Sequence, residues 1–201
     1  MSVHDADLAD AAAALLEPGG VILYPTETVY GLGGRASDSA AARRVAGIKG
    51  RTLLPLIVLV DGIPDGLSPP AAALARALWP GPVTLIVPAE TVSLPGGVAP
   101  EILGEGGTLA LRWSPHPVAR SLVAAVGAIT STSANRHGQP PVLDPLSPAA
   151  QALPVDARVN GGVSAAGPPS TLVDTRSGAV LREGAALEAV RSALAAAGYR
   201  A

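Results

Sequence analysis

Residues that could bind a small anionic ligand are concentrated in three segments of this sequence. The segments are residues 25–51, 108–135 and 169–184, and each combines hydroxyl or amide side chains with arginine or lysine. Hydroxyl and amide groups at the ends of strands are the usual contacts of a crevice that holds a small polar ligand. The cations add a preference for negative charge. We therefore predict a pocket for a small anion, assembled from all three segments.

Lys49 is the most distinctive of the cations, because it is the only lysine among 14 basic residues and the other 13 are arginine. An ammonium is a compact point charge that suits a phosphate in a tight pocket, whereas a guanidinium is a planar fork. Lys49 also follows the polar and glycine-rich stretch 24–34 closely. A solvated surface lysine is the ordinary alternative. The neighbouring sequence favours the anion site.

Each polar segment also has a purely structural interpretation. The glycine-rich turn predicted at 31–34 could be no more than a tight turn, since glycine readily adopts positive φ. Residues 131–135 could be a strand-exit turn or a helix cap. Arg112 and Arg182 could be ordinary surface ion-pair partners. The sequence contains no G-x-x-x-x-G-K-[ST] phosphate loop, so a nucleoside triphosphate would have to be held in another way.

Residue composition excludes several kinds of catalytic site. The chain contains no cysteine, which excludes disulfides, thiolate nucleophiles and cysteine metal sites. Glu27 is the one carboxylate of the stretch 24–34, so a paired acid and base is not evident. The three histidines, His4, His116 and His137, lack the spacing of metal ligands or of a catalytic triad,.

Length and composition indicate one globular domain of 201 residues with its core at about 10–190,. Hydrophobic residues make up 48% of the chain and aromatic residues only 2%, so the core must consist of small aliphatic side chains. The net charge of −2 argues against strong binding to duplex nucleic acid. No run of about 18 apolar residues occurs, so we expect no membrane span and a cytoplasmic location.

The elements that must position the polar segments follow from apolar runs and cap residues. Helices are predicted at 7–16, 37–46, 68–78, 117–126 and 186–197. Strands are predicted at 21–24, 56–60, 83–87, 109–112 and 128–131, with a late hairpin of 171–174 and 179–182. The hairpin requires antiparallel pairing, whereas the alternation of helices and strands favours helical crossovers between parallel strands. We therefore predict an α/β (α+β) fold, in which helices flank a twisted mixed parallel/antiparallel sheet with a central ligand cleft.

Taken together, these segments resemble the YrdC family, whose members make threonylcarbamoyl-adenylate for the threonylcarbamoyl-adenosine (t6A) modification of tRNA. The matching stretches follow the family order over nearly the whole chain. They are Tyr24–Gly33, Lys49–Arg51, Pro55–Val58, Trp79–Thr84, Leu111–Arg112, Thr132–Asn135, Ser170–Asp174 and Leu181–Gly184. The chain resembles the short, single-domain type, and the YrdC-like fold is expected with it.

The resemblance implies an L-threonylcarbamoyladenylate synthase, a nucleotidyltransferase that uses ATP, L-threonine and bicarbonate and releases pyrophosphate. Lys49 and Arg51 would be its catalytic pair, holding the triphosphate and the developing charge. The residues implied for ATP are Lys49, Arg51, Thr108, Ser133, Asn135 and Arg182, and those implied for threonine are Thr28, Arg112, Ser131 and Ser170. Mg²⁺ would arrive with ATP, held by phosphate oxygens and water rather than by a protein metal site. A downstream tRNA threonylcarbamoyl transferase complex would take the product.

Some positions depart from the family pattern. Residues 52–55 are apolar and one residue shorter than usual after Arg51, and Leu59 stands where many members have a threonine-contacting histidine. Further departures are Arg136–Gly138, Pro141 and Asn160. They leave open an alternative, in which the chain is a non-catalytic YrdC-fold paralogue that binds RNA or a nucleotide through the same cleft. The acidic balance of the chain would make such RNA binding weak.

Overall fold

The computed structural model describes residues 5–51, 55–165 and 167–199. Within these ranges the α-helices are α1 (Asp5–Leu16), α2 (Ser39–Lys49), α3 (Pro69–Leu78), α4 (Pro117–Val126), α5 (Pro148–Gln151) and α6 (Leu187–Ala196). The strands are β1 (Ile22–Tyr24), β2 (Gly31–Gly33), β3 (Ile57–Leu59), β4 (Val83–Pro88), β5 (Thr108–Arg112), β6 (Ile129–Ser133), β7 (Ala157–Arg158), β8 (Thr171–Asp174) and β9 (Ala179–Arg182). None of these helices is long and apolar enough to cross a membrane.

All of these strands belong to one nine-stranded sheet, in the order β7-β1-β2-β6-β3-β5-β4-β8-β9. The sheet contains both parallel pairs, such as β3 with β5 and β4 with β8, and antiparallel pairs, such as β2 with β6 and β8 with β9. The prediction of a mixed sheet flanked by helices is therefore confirmed, and so is the late hairpin.

The two faces of the sheet are covered unequally. One face is packed by α2, α3 and α6, whose Val45, Leu74 and Val190 join a core that contains Val58 and Leu111 of the sheet. The other face is packed by α1 and α4 over β1 and over the ends of β3 and β6 only. Because these two helices do not reach across the wide sheet, the remainder of this face stays open. That open area is where a ligand can enter.

Helix α2 is longer than its sequence pattern predicts. It begins after Asp38, whose carboxylate accepts hydrogen bonds from the backbone N–H groups of Ala40 and Ala41. It does not end at Ala46 as predicted, but continues to Lys49 and stops at Gly50 in the left-handed conformation, with φ 69°. The extra turn makes Lys49 the last residue of the helix. A cation is favourable there because the C-terminal end of the helix dipole is negative.

The predicted glycine-rich turn at 31–34 is wrong. Residues Gly31–Gly33 instead form strand β2, which is buried between β1 and β6. Glycine is required here because neighbouring atoms lie too close for a side chain, and not because the backbone has a positive φ. A Cβ atom at Gly33 would lie 1.7 Å from the Thr130 carbonyl oxygen, and one at Gly31 would lie 3.0 Å from the Tyr24 ring. A turn and a tightly packed strand both select glycine, so local composition does not separate them.

Most other predicted elements occur with small shifts at their ends. Strand β6 runs two residues further than predicted, so Thr132 and Ser133 belong to the sheet rather than to the following loop. Strand β7 and the short helix α5 are not foreseen by the sequence patterns. Each has at most four residues, which is too short for a periodic pattern to be recognised.

Candidate functional site

The open part of the sheet holds a cleft of about 300 Å³. Its floor is a row of side chains from four adjacent strands, and the pairing register places them side by side. The row is Ser131 on β6, Ile57 on β3, Ala110 on β5 and Ile86 on β4. Apolar side chains in the floor with polar groups around them are typical of a small-molecule site.

Six of the predicted ligand residues line this cleft. They are Thr28, Arg112, Ser131, Ser133, Ser170 and Arg182. The cleft therefore joins all three polar segments of the sequence, as predicted. Another cavity of about 400 Å³, lined in part by Asp61, Ile63 and Asp65, contains none of them.

The cleft differs from the sequence expectation in where it lies on the sheet. The polar groups were expected at strand ends, but Ser131 is in the middle of β6 and the cleft spreads over a face of the sheet. In this sheet many neighbouring strands are antiparallel, so their carboxyl ends fall on opposite edges. Side chains at alternate positions still share a face. Ala110 and Arg112 of β5, and Ser131 and Ser133 of β6, reach the cleft in this way.

Lys49 lies directly beneath the Ser133–Asn135 segment. Its ammonium donates to the Ser133 carbonyl oxygen at 2.7 Å, to the Ser133 hydroxyl at 3.2 Å and to the Asn135 side-chain oxygen. The residue is only 5% exposed. Within the described ranges its hydrogen bonds go to neutral oxygens, and no carboxylate forms an ion pair with it. A buried cation held by neutral groups is suited to an incoming anion.

Burial lowers the pKa of Lys49 to about 8, and the neighbouring positive charge of Arg51 acts in the same direction. Desolvation disfavours the charged form of an amine, and so does a like charge nearby. The ammonium is therefore the dominant form below that pH and the neutral amine above it.

This pKa leads to a testable pH dependence. If Lys49 has the ATP-binding role that the family resemblance implies, kcat/KM for ATP should fall as the pH rises through about 8, because the free protein would then lose the positive charge expected to attract phosphate. Above the pKa the charged fraction falls about tenfold for each pH unit. The measurement is the initial rate of pyrophosphate release against ATP concentration from pH 6 to about 10, with threonine and bicarbonate saturating.

The matched control for the pH profile is Lys49→Arg, since a guanidinium stays charged throughout this range. The variant should lose the decline above pH 8, whatever its overall rate. An identical alkaline decline in both proteins would contradict the assignment of the titration to Lys49.

Four of the predicted ligand residues do not line the cleft, namely Lys49, Arg51, Thr108 and Asn135. Arg51 is exposed, and its Nε lies 3.1 Å from Nδ1 of His137. Thr108 is buried, and its hydroxyl donates to the Glu105 carbonyl oxygen at 3.1 Å. Their roles toward ATP remain predictions. Arg51 lies only two residues after Lys49, at the same end of the cleft.

The opposite end of the cleft carries two guanidinium groups. Arg182 donates through Nε and Nη2 to the Ser170 carbonyl oxygen, at 3.1 and 3.0 Å, and through Nη2 to the Ser170 hydroxyl at 3.0 Å. That hydroxyl also lies 2.9 Å from the hydroxyl of Thr84. Partial desolvation and the nearby charge of Arg112 both lower the pKa of Arg182. The described lining residues include no carboxylate, so this end attracts negative charge.

Two residues of the site were not assigned a role from the sequence. Glu27 forms an ion pair with Arg112, and its other oxygen accepts a hydrogen bond of 2.5 Å from the Ser114 hydroxyl. In the sequence Glu27 stands out only as the one carboxylate of the stretch 24–34, and no motif marks Ser114. Ser114 follows β5 by two residues with no distinctive pattern around it. Its contact with Glu27 joins residues 87 positions apart, so no local signal could have shown it.

Comparison with known proteins identifies the family. Residues 14–184 match the model of the family described as Sua5_yciO_yrdC, telomere recombination. The chain belongs to this family. It is similar to the threonylcarbamoyl-AMP synthase of Chromohalobacter salexigens, with 39% identity over 183 residues that cover 87% of this chain and 96% of that protein.

Two solved structures of the family have the same fold. The crystal structure of P. abyssi Sua5 complexed with L-threonine gives a TM-score of 0.84 at 29% identity, covering 96% of this chain and 59% of that one. The chain thus corresponds to little more than half of the Sua5 protein. The structure of E. coli YciO gives a TM-score of 0.74 at 25% identity, covering 89% of each chain. The YrdC-like fold expected from the sequence is therefore confirmed.

The departures from the family pattern can now be located in part. Residues 52–54 lie outside the described residues. Leu59 pairs with Arg112 in the sheet and is 1% exposed. It packs with the α1 and α4 core rather than lining the cleft. The position is thus beside the predicted threonine-carboxylate ligand, but its side chain is buried in the core and offers no hydrogen bond.

The described residues contain no group of three or more Asp, Glu or His side chains that could hold a metal ion. The cleft offers hydroxyls and cations, which are poor ligands for Mg²⁺.

Proposed function

We propose that this chain is an L-threonylcarbamoyladenylate synthase. It forms threonylcarbamoyl-AMP and pyrophosphate from L-threonine, bicarbonate or CO2, and ATP, and it is thus a nucleotidyltransferase that serves tRNA t6A modification. The observation that carries the proposal is the cleft itself, in which hydroxyl groups and two guanidiniums line one pocket and a buried ammonium lies beneath one wall. Membership of a family with named threonylcarbamoyl-AMP synthases, such as the relative at 39% identity, supports it.

The reaction needs a protein that positions anions and neutralises their charge. Threonine and bicarbonate condense to N-carboxy-threonine with loss of water, and its carbamate oxygen attacks the α-phosphorus of ATP while the bond to pyrophosphate breaks. Negative charge develops on the phosphate oxygens in the transition state. Preorganised donors and cations in a partly dry site stabilise such charge without reorganising. Holding the two reactants together lowers the barrier further.

We place the triphosphate at the Ser133–Asn135 end of the cleft. Lys49 there provides a buried positive charge directly under the turn, and Ser133 and Asn135 provide polar side chains at its surface. Arg51 is exposed nearby and would turn from His137 toward the phosphates. Lys49 and Arg51 are thus the proposed catalytic pair. Thr108 and Arg182 are the remaining proposed ATP contacts, and Mg²⁺ enters as part of the MgATP substrate.

We place threonine at the Arg112 end. Arg112 lies in the cleft wall and carries the fixed charge that an amino-acid carboxylate requires,. The hydroxyls of Thr28, Ser131 and Ser170 line the space in front of it, and they can hydrogen bond the amino and hydroxyl groups of the ligand. A site that pairs the substrate hydroxyl discriminates against analogues that lack it, since its own polar groups would be left unpaired.

The proposal is tested by the release of pyrophosphate from ATP, with and without threonine and bicarbonate. We expect release that requires both, together with a product of the mass of threonylcarbamoyl-AMP. Replacement of threonine by valine, which has a similar shape but lacks the hydroxyl, should reduce kcat/KM by about 10⁴-fold. Pyrophosphate release that does not depend on threonine would refute the assignment.

A non-catalytic paralogue is not favoured, because the chain matches named synthases over 87% of its length. Weak RNA binding and a hand-over of the product to a tRNA threonylcarbamoyl transferase complex remain part of the proposal. The product is a reactive mixed anhydride, so an acceptor must use it promptly. A cytoplasmic location follows from the tRNA substrate of that later step.

A further inference from the structure

We propose that Glu27 is a positioning residue, which holds the guanidinium of Arg112 in the orientation that receives the carboxylate of the amino-acid substrate. The inference rests on the proposed function and adds a residue to the threonine site. It concerns a side chain that acts through Arg112 and does not itself touch the ligand.

The first support is the way Glu27 is held at both oxygens. Its Oε1 accepts from Nη2 of Arg112, and its Oε2 accepts from the Ser114 hydroxyl at 2.5 Å. The Ser114 oxygen in turn accepts the backbone N–H of His116 at 3.2 Å. His116 is the residue before the first turn of α4. A chain of hydrogen bonds therefore connects Arg112 to the start of a helix, and this fixes the carboxylate on a rigid element.

The second support is the burial of the three side chains that form this hydrogen-bond network. Arg112 is 4% exposed and Ser114 is 2% exposed, and the Glu27 side chain is 18% exposed. In a partly dry setting a charge-assisted hydrogen bond is stronger than at the surface. A buried arginine without its partner would be an uncompensated charge. The pair is thus firm enough to determine the orientation of the guanidinium.

The third support is the side from which Glu27 approaches. Arg112 lines the cleft, whereas Glu27 and Ser114 do not. Glu27 therefore contacts Arg112 from outside the cleft lining, which leaves the lined space free for a ligand carboxylate. Among the described residues Arg112 donates through Nη2 only, and its buried Nε has no partner. The guanidinium thus keeps donors that Glu27 does not use.

The charge balance of the site explains why a carboxylate is needed there. Arg112 lies close enough to Arg182 to lower the pKa of that residue, so the two guanidiniums repel each other. The negative charge of Glu27, which lies outside the cleft lining, offsets this repulsion. An arginine side chain has many rotamers, and ordering it when the ligand arrives would weaken binding. With Glu27 in place, that ordering occurs on folding.

The test is Glu27→Gln, which keeps the shape of the side chain and removes its charge. We expect KM for threonine to rise by about 10- to 100-fold, by analogy with the loss of a partner that orients a metal-binding side chain. KM for ATP should change by much less than KM for threonine, because Arg182 is the one proposed ATP contact that lies beside Arg112. Binding of L-threonine and of L-threoninamide, which lacks the carboxylate, should be measured by calorimetry for both proteins. The substitution should weaken the binding of L-threonine and leave the binding of L-threoninamide unchanged.

Two further variants separate positioning from a general loss of structure. Ser114→Ala keeps the ion pair and frees Oε2 of Glu27 and the His116 N–H, so it should raise KM for threonine less than Glu27→Gln does. Glu101→Gln removes an ion-pair partner of the exposed Arg43 on α2, outside the cleft, and should leave both KM values unchanged.

Each result has a distinct meaning. An unchanged KM for threonine in an active Glu27→Gln protein would overturn the inference and leave the proposed function intact. Tighter threonine binding would overturn it too, since Glu27 would then compete with the ligand. Equal losses for threonine and threoninamide would show that Glu27 does not act through the carboxylate. A wild-type protein that binds no threonine and releases no pyrophosphate would refute the proposed function, and the inference with it.

Discussion

Replacing Lys49 by alanine should lower kcat/KM for ATP by about 10²- to 10³-fold, the usual cost of removing one preorganised donor from a charge-stabilising site. The ammonium is buried beneath the Ser133–Asn135 turn and donates to neutral oxygens. It is therefore ready to interact with phosphate charge. The measurement is the rate of pyrophosphate release against ATP concentration, with threonine and bicarbonate saturating.

The protein should still fold when Lys49 is replaced. Burial lowers the pKa of this lysine. A lowered pKa means that the charged amine is less stable in the folded protein than in the unfolded chain. Removing the amine therefore relieves a cost while it deletes three hydrogen bonds. We expect an unchanged circular dichroism spectrum and a small change in Tm.

The matched control for Lys49 is Arg43→Ala, which removes a cation from the same helix. Arg43 is exposed and pairs with Glu101, so its loss should leave kcat/KM for ATP within about twofold, as for surface ion pairs. A Lys49→Ala protein as active as Arg43→Ala would disprove the assignment of the triphosphate site.

Replacing Gly33 by alanine should destabilise the protein by about 4 kcal/mol or more, which places it among the exceptional single substitutions. The added Cβ atom would lie 1.7 Å from the Thr130 carbonyl oxygen and 3.1 Å from the Thr130 hydroxyl. Neither can move easily, because Thr130 lies within β6 and the hydroxyl accepts from the Gly34 N–H at 3.0 Å. Strands β2 and β6 would have to separate. Urea denaturation measures the loss.

Gly47→Ala is the control for this substitution. Gly47 lies in α2, and a Cβ atom there would meet nothing within 4 Å. Alanine has the higher helix propensity, so the free energy of unfolding should rise by about 0.5–1 kcal/mol. A loss of less than about 1 kcal/mol for Gly33→Ala would show that β2 can shift away from β6, and would weaken the explanation for its glycines.

The consequences of Gly33→Ala should extend to the site. Strand β6 carries Ser131 and Ser133 into the cleft, and Gly31 of β2 pairs with Ser133. The narrow strand β2 therefore positions two of the proposed ligand residues, although it has no polar side chain of its own.

Local sequence patterns predicted elements well where a cap or a turn marks the boundary. The helix at 117–126 and the hairpin strands 171–174 and 179–182 were predicted to the residue. Prediction failed where one residue type serves two purposes. The glycines at 31–34 indicated a turn, yet they allow close strand contact, and the α2 pattern gave no reason to continue past Ala46 to Lys49.

The sequence by itself determined the chemistry that the site can offer. It contains one ammonium, the guanidiniums of Arg112 and Arg182, and several hydroxyls, in segments whose order identifies a family. It also excluded thiol chemistry, because no cysteine occurs. These properties depend only on which residues are present and in what order.

Only the tertiary structure decided which of these groups meet. Lys49 contacts Ser133 across 84 positions, and Arg112 contacts Glu27 across 85. The row of Ser131, Ile57, Ala110 and Ile86 depends on the strand order β6-β3-β5-β4. Helix periods, caps and turns describe interactions between near neighbours, whereas strand order depends on how the whole chain buries its apolar surface. For this reason the Glu27–Ser114 support of Arg112 became visible only in the folded protein.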